Sequence, residues 1–313
     1  MKNRSIIIAG ASGLVGQALS RAFQEQGFRV YGLSTRPERL RNVPFTPIGW
    51  SPDLHPESKD ESDEAINAFR EASLVINLAG HSIGDGRLSK THKAKILESR
   101  VAATRTLAHG LRHSEEDGVR WLQASAVGYY GDTGEKDNPE GSSIGSLFLS
   151  SVCQAWEDEA TRALEALPLV SLAILRLGVV LSPDADAWKK MVLPIRMGAG
   201  GPLGTGKQWM SWIAKPDLVR MFLALAESDE VGIWNATAPE PVQQFEMVKA
   251  LGIALSRPTI LPTPAWALKM ALGQLAEELV LCSCKAKPRR FQEGAFPFEY
   301  PEFVRALPYL LGD

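Results

Sequence analysis

The chain has 313 residues, 34 lysines and arginines against 36 aspartates and glutamates, and a net charge of −2, with 45% apolar residues. A near-neutral balance excludes the electrostatic footprint of a nucleic-acid binder, and the apolar content excludes disorder, so a small molecule is the expected partner. The length predicts one large α/β unit or a main domain with a smaller lobe.

Met1 to Arg4 is basic, but the apolar run that follows is too short for a signal peptide, and no later stretch could span a bilayer. "SIIIAG" reads as a buried strand, "LVGQALSRAFQEQG" as a helix closed by Gly27, and "FRVYGLS" as a second strand. That is a βαβ unit, which implies a parallel sheet with right-handed crossovers. Between Phe45 and Ser62 the composition predicts a surface excursion with one short edge strand. "ASLVINLAG", "VRWLQASAVG" and "VSLAILRLGVVLS" then alternate as strands with helices at "KTHKAKILESRVAATRTLAHGL" and "VCQAWEDEATRALEAL". The class is α/β, a doubly wound Rossmann sheet over residues 1–182. Residues 183–313 read as a smaller substrate lobe, with a strand near 231–236 returning to the main sheet and helices at "PVQQFEMVKALGIALSRP" and "PAWALKMALGQLAEELVL".

Gly10, Gly13 and Gly16 form G-x-x-G-x-x-G between the first strand and the first helix. Glycine at these places lets the backbone turn tightly, approach a pyrophosphate and seat the helix against the sheet. Ser12, Leu14 and Val15 complete the loop, and the helix N-terminus presents unpaired N–H groups to the phosphates. An acidic residue at the end of the second strand would favour NAD(H), but "LSTRPERLR" has none there. Ser34, Thr35 and Arg36 instead supply two hydroxyls and a guanidinium suited to a 2′-phosphate, so NADP(H) is the expected cofactor. Cys153, Cys282 and Cys284 have no zinc spacing and fit reduced thiols of a cytoplasmic protein. Cys282 and Cys284 flank only Ser283, where small residues near a helix end outweigh a redox pair. His55, His81, His92, His109 and His113 show no ligand spacing, so no metal site is expected.

"AGASGLVG", "NLAG" at Asn77 to Gly80 and "SAVGYYG" resemble the extended branch of the short-chain dehydrogenase/reductase superfamily. "ESRVAATRTL", "VCQAWEDEA", "ILRLGVVLS", "GGPLGTGKQWMSWI" and "GAFPFEYP" narrow the resemblance to its epimerase-like group, described as nucleoside-diphosphate-sugar epimerases with a C-terminal domain of unknown function. The resemblance runs nearly end to end. It implies an NADP(H)-binding Rossmann domain with a lobe closing over the substrate, and suggests a homodimer. It also implies that Thr35 and Arg36 hold the adenosine phosphate, that Leu78, Ala79 and Gly80 pass the cofactor through backbone contacts, and that Arg100 and Glu157 occupy cofactor-site positions.

The superfamily's catalytic Tyr-x-x-x-Lys pair is missing. Counting back from Glu157, the Tyr position falls at Leu149 and the Lys position at Cys153; one place over, the pair would be Phe148 and Val152. Leucine has no proton to give, and a thiol near its free pKa supplies no fixed positive charge. Ser125 stands where a superfamily serine meets a substrate carbonyl. Tyr129 and Tyr130 are the nearby phenols, which either line and pack the cleft or, if one reaches the nicotinamide and Arg100 lowers its pKa, rebuild proton transfer from another direction. Gly198 to Gly206, with Lys207, Trp209 and Trp212, reads either as a mobile loop over a substrate or as tight turns with core packing. Two readings stand open: an NADP(H)-dependent oxidoreductase or epimerase-like enzyme acting on a small polar molecule such as a sugar nucleotide, and a non-catalytic NADPH-binding module.

Overall fold

The computed structural model describes residues 4–58, 62–116 and 118–312. Residues 59–61 of the predicted surface excursion lie outside the described residues. β1 (Ser5–Ala9) is buried at every position, as a central parallel strand requires, because helices cover both its faces. β2 (Arg29–Ser34), β3 (Thr46–Gly49), β4 (Ala72–Asn77), β5 (Val119–Ala126), β6 (Val170–Leu177) and β7 (Gly232–Ala236) join it in one seven-stranded sheet. Its order is β7-β6-β5-β4-β1-β2-β3, and every pairing is parallel. The strand order reverses between β1 and β4, so a crevice opens there at the carboxyl ends of the strands.

Helices α1 (Leu14–Glu25), α2 (Asp63–Glu71), α3 (Lys90–Leu111) and α4 (Phe148–Ala163) follow strands as the crossovers require. α2 starts where the Ser62 hydroxyl accepts from the Ala65 N–H at 3.2 Å, and α3 where Ser89 does the same for His92 at 3.2 Å. Each such cap is worth about 1 kcal/mol. The chain turns out of α1 at Gly27, whose φ of +83° suits glycine. One face of the sheet packs Ile6, Ile8, Leu19 and Phe23 with Met221 and Phe222; the other packs Ile7, Val75 and Trp121 with Phe69, Leu107 and Ala160.

The chain beyond Pro183 serves both parts of the molecule. α5 (Asp186–Arg196), α7 (Gln244–Ala254) and α10 (Phe303–Leu311) enclose a separate core around Trp188, Trp212, Leu251 and Phe303. In contrast, α6 (Lys215–Ala226) supplies Leu218, Met221 and Phe222 to the main core, and β7 extends the main sheet. The region read as one helix from Pro264 onward is divided. α8 (Ala265–Leu272) ends at Gly273, φ +61°, and one π-helical turn follows at Ala276–Val280. α9 (Arg289–Glu293) then sets Phe291 against Trp234, with ring centroids 4.8 Å apart.

Candidate functional site

The glycine loop lies at the switch point, and its geometry fixes two of its three glycines. Gly10 has φ +82°, and a Cβ there would lie 2.9 Å from the Leu78 carbonyl carbon. A Cβ on Gly16 would meet the Gly10 carbonyl oxygen at 2.3 Å. The loop meets the backbone after β4 only because Gly10 has no side chain, and folds against the start of α1 only because Gly16 has none. Gly13 is the N-cap of α1 and offers no side-chain acceptor, so the first-turn N–H groups and the positive dipole end face the crevice. Leu14 and Val15 begin that turn, and the Gln17 side chain steadies the loop by donating to the Ser12 carbonyl at 2.8 Å.

A cleft of about 700 Å³ opens over this loop. Its lining includes Gly10 and Ser12 of the loop, Ser34 and Thr35 at the end of β2, Ala79 and Gly80 after β4, and Trp50, Asp53 and Leu54. Arg36 is exposed beside Thr35, with its backbone N–H on the Ser34 hydroxyl at 3.1 Å. The turn after β4 is shaped by Asn77, which is fully buried. Its side-chain oxygen accepts from the Ala79 N–H at 3.1 Å, while its amide donates to Gln123 at 2.9 Å and Thr104 at 3.1 Å.

Arg100 clamps the same turn from α3. It donates to the His81 and Ile96 carbonyls at 3.1 and 2.9 Å, lies 5.0 Å over the Trp156 ring, and would touch a methyl on Gly80 at 2.9 Å. Burial lowers its pKa from the ordinary guanidinium value. It bonds the cofactor-side turn and its own helix, and the guanidinium that meets the phenols is Arg176.

The sheet register pairs Ser125 with Arg176, and Arg176 with Asn235, in one row across β5, β6 and β7. Glu157 descends onto this row from α4. Ser125 Oγ donates to Glu157 Oε1 at 2.5 Å, and Arg176 grips the same carboxylate with Nε at 2.8 Å and Nη2 at 2.7 Å. Arg176 Nη1 donates to the Tyr130 hydroxyl at 3.1 Å, and Tyr130 donates to Asn235 Oδ1 at 2.7 Å. Asn235 in turn donates to the Asn138 and Lys287 carbonyls at 3.0 and 2.9 Å, which ties the row to the lobe.

Arg176 and Glu157 are 3% and 6% exposed, so each is affordable only because the other is there. Burial alone would depress the Arg176 pKa, but the hydrogen bonds and charge of Glu157 outweigh it and hold the guanidinium above its ordinary range. Burial pushes the Tyr130 phenol up to about 12, against the pull of Arg176 and Asn235. Its pKa is thus raised, where a lowered one was expected. Tyr129 differs: it is half-buried, Arg176 lies 3.4 Å over its ring, and its hydroxyl bonds to none of the described residues.

Leu149 and Cys153 face the turn after β5, with Leu149 Cβ at 3.7 Å and Cys153 Sγ at 3.9 Å from a methyl built on Gly128. Burial, reinforced by Glu157, raises the Cys153 thiol to about 11. The N-terminus of α4 is closed by a residue from the lobe: the Phe148 and Leu149 N–H groups donate to the two Glu278 oxygens at 3.1 and 2.9 Å. The glycine cluster forms tight turns. Gly204 N–H bonds the Thr263 carbonyl at 2.8 Å, Phe245 N–H bonds Gly206 at 2.8 Å, and a Cβ on Gly201 would overlap Leu261 at 2.0 Å. Trp212 is buried in the lobe core and Trp209 donates to Glu135 at 2.7 Å, while Lys207 is exposed. Cys282 and Cys284 are free thiols raised by burial to about 12 and about 11. Among the described residues no group of three His, Cys, Asp or Glu is placed to hold a metal, and no helix is long and apolar enough to cross a membrane.

A Rossmann sheet with a glycine-bound crevice and a lobe over its carboxyl edge is the plan of a dinucleotide-dependent epimerase or dehydratase. The chain belongs to the NAD dependent epimerase/dehydratase family, whose model matches residues 6–236, and residues 263–310 match a domain of unknown function, DUF1731. It is 36% identical over 313 residues to the epimerase family protein Mb2239 of Mycobacterium bovis, covering 99% of this chain and 98% of that one. It is 33% identical to the epimerase family protein YfhF of Bacillus subtilis over 99% of this chain and 98% of that one. The crystal structure of human epimerase family protein SDR39U1, isoform 2, with NADPH superposes with a TM-score of 0.83 at 26% identity, over 99% of both chains.

Arg176, Asn235 and Glu278 were not singled out as site residues in the sequence. A signal for the first existed: an arginine inside the apolar run "SLAILRLGVV" cannot be buried without a carboxylate, and Glu157 was already marked on the neighbouring helix.

Proposed function

We propose that the chain is an NADP(H)-dependent oxidoreductase of the epimerase-like type, acting on a small molecule that carries a carbonyl or a secondary hydroxyl. The observation that carries this reading is the crevice itself: an uncapped α1, two glycines that admit no side chain, and Thr35 with Arg36 at the end of β2 in place of an acidic residue. The NADPH held by human SDR39U1 supports the same choice. The resident chemistry of such a cofactor is hydride exchange at the nicotinamide.

The chain's own residues do the rest. The α1 N-terminus and the loop N–H groups hold the pyrophosphate, while Thr35 and Arg36 hold the 2′-phosphate. Asn77 and Arg100 set the backbone of Leu78, Ala79 and Gly80 along the dinucleotide. Glu157 acts through the Ser125–Arg176 row as a positioning residue. Ser125, whose own proton is on Glu157, accepts from a substrate hydroxyl, Tyr130 fixes the turn that carries Tyr129, and Tyr129, whose hydroxyl bonds to none of the described residues, exchanges the proton. Sugar nucleotides are the substrate class that the family resemblance suggests.

The test is thermal stabilisation by NADPH and by NADH, followed by turnover of Tyr129→Phe. NADPH raises the melting temperature more than NADH, and Tyr129→Phe keeps that rise while losing turnover by roughly 10²-fold or more. Absence of any NADPH shift sinks the reading. A non-catalytic NADPH-binding module is the second reading, favoured by Leu149 and Cys153 at the Tyr and Lys positions. It predicts the same NADPH shift, with no turnover on any substrate.

A further inference from the structure

Neither the glycine cluster nor α8 lines the crevice, and together they shape a surface of another kind. The Leu261 N–H bonds the Gly200 carbonyl at 3.4 Å, the Thr263 N–H bonds the Pro202 carbonyl at 2.9 Å, and the Arg257 N–H bonds the Gly252 carbonyl at 2.8 Å. These contacts draw the end of α5, the end of α7 and the start of α8 into one neighbourhood. Large side chains there face water: Met197, Ile253, Ile260, Trp266 and Met270 are each 64% to 79% exposed. α8 reads "AWALKMAL", yet none of its residues is buried. Arg87 of the main domain holds that helix by donating to the Met270 and Ala271 carbonyls at 2.6 and 3.3 Å, so its outward face is a fixed feature.

Cations accompany these side chains. On α5, Lys189, Leu193 and Met197 follow at four-residue steps, and on α7 Phe245, Lys249 and Ile253 do the same, so each helix carries apolar and cationic groups on one outer stripe. Residues 187–207 and 245–273 contain seven Lys and Arg against one acidic residue, Glu246, in a chain whose net charge is −2. Lys269 pairs with Glu277 at 2.6 Å; the other six, all exposed, make no side-chain bond with a described residue.

An exposed apolar patch of this kind marks an interaction surface. Protein interfaces are depleted in lysine, whereas four of these six cations are lysines. A second copy would set the same unpaired cations against each other across a two-fold axis. An anionic bilayer satisfies both features at once: the apolar tips enter the acyl boundary, and the ammonium and guanidinium heads meet lipid phosphates. We propose that this face of the lobe docks on an anionic membrane surface, without crossing it, through Ile253, Ile260, Trp266 and Met270, with Arg196, Lys249 and Arg257 as its lipid-facing cations.

The experiment is co-sedimentation of the full chain with vesicles of phosphatidylcholine alone and of equal parts phosphatidylcholine and phosphatidylglycerol, at physiological and at high salt. The chain sediments with the anionic vesicles, and binding to phosphatidylcholine alone, or to anionic vesicles at high salt, is weaker by about tenfold or more. Trp266→Ser combined with Ile260→Asp weakens binding to anionic vesicles by about tenfold or more, because the apolar tips no longer enter the boundary. Lys249→Glu combined with Arg257→Glu weakens it by a similar factor through charge, and carries the test where the apolar pair does not fold. Leu169→Asp, at a residue 61% exposed before β6, leaves binding as it is. Unchanged melting temperatures show that each variant is folded. No sedimentation with anionic vesicles, equal binding to both vesicle types, or a loss in Leu169→Asp equal to that of the lobe pairs overturns the proposal. So does a dimer in solution that Trp266→Ser breaks in the absence of vesicle binding, since the face then belongs to a second copy.

Discussion

α1 and α4 both start at the carboxyl edge of the sheet, yet the chain treats the two helix N-termini in opposite ways. α1 begins at Gly13, has no side-chain cap and opens into the crevice. α4 begins after Leu147, also without a cap from its own N-cap residue, and takes a carboxylate from the lobe instead. The fold supplies two equivalent positive ends. Which of them receives a ligand is decided by local glycine in one case and by a distant glutamate in the other. The α1 end is thus a place for a guest, whereas the α4 end belongs to a built structure that runs through the Ser125–Glu157–Arg176 row into Tyr130 and Asn235.

The largest effect that separates the two ends is expected on the built one. Arg176→Met leaves the Glu157 carboxylate buried without its cation and strips a donor from Tyr130, at a cost of about 3–5 kcal/mol in urea unfolding. Adding Glu157→Gln recovers part of that loss, since a neutral amide is less costly to bury than a lone carboxylate. If the single and double variants unfold at the same urea concentration, the ion pair is not what holds the row. At the guest end, Gly16→Ala drives a methyl to 2.3 Å from the Gly10 carbonyl oxygen, and overpacking of that kind costs about 1–3 kcal/mol. Its signature is loss of NADPH stabilisation. Gly141→Ala, where a methyl meets nothing within 4 Å, serves as the neutral control.

How much could be read beforehand follows the same division. The sheet, its crossovers and the crevice were legible because each rests on a few contiguous residues: an apolar strand, three glycines in seven positions, and the hydroxyl and guanidinium at the end of β2. The row across β5, β6 and β7 was not. Arg176 meets Glu157 at a separation of 19 residues, Tyr130 meets Asn235 at 105, and Leu149 meets Glu278 at 129, so only register and docking bring them together. Arg100 shows how a short-range reading divides: its place at the turn after β4 is consistent with a cofactor-side position, while its neighbours, the carbonyls of His81 and Ile96, keep it from the phenols. The glycine cluster from Gly198 left two readings open, because glycine permits both mobility and close approach, and the overlap at Leu261 identifies close approach here.

A smaller effect sharpens the guest end. Arg36 is exposed and makes no side-chain bond with a described residue, so Arg36→Ala leaves stability within about 0.5 kcal/mol. A charge-assisted bond to a phosphate is worth about 1.5–3 kcal/mol, so the ratio of NADPH to NADH affinity falls by about tenfold or more. An unchanged ratio moves the phosphate contact elsewhere, with Thr35 next in line.

A further effect is confined to alkaline pH, where the built end has a feature the guest end lacks. The Cys153 thiol is raised from an ordinary value of 9.0 to about 11 by burial, and Glu157 repels its ionised form. Between those values the unfolded chain releases the thiol proton while the folded chain keeps it. The unfolded state therefore gains, and stability falls as pH rises from about 9 to about 11, with no contribution below that window. Tyr130, raised from 10.0 to about 12, extends the fall by the same sign. One such group changes stability by at most about 1.4 kcal/mol per pH unit. Urea unfolding across this range shows a descending limb in the natural chain, and Cys153→Ala flattens its first part while leaving neutral-pH NADPH binding in place. Superimposable limbs would mean that water reaches the thiol, and that the wall between α4 and the end of β5 is less closed than its packing implies.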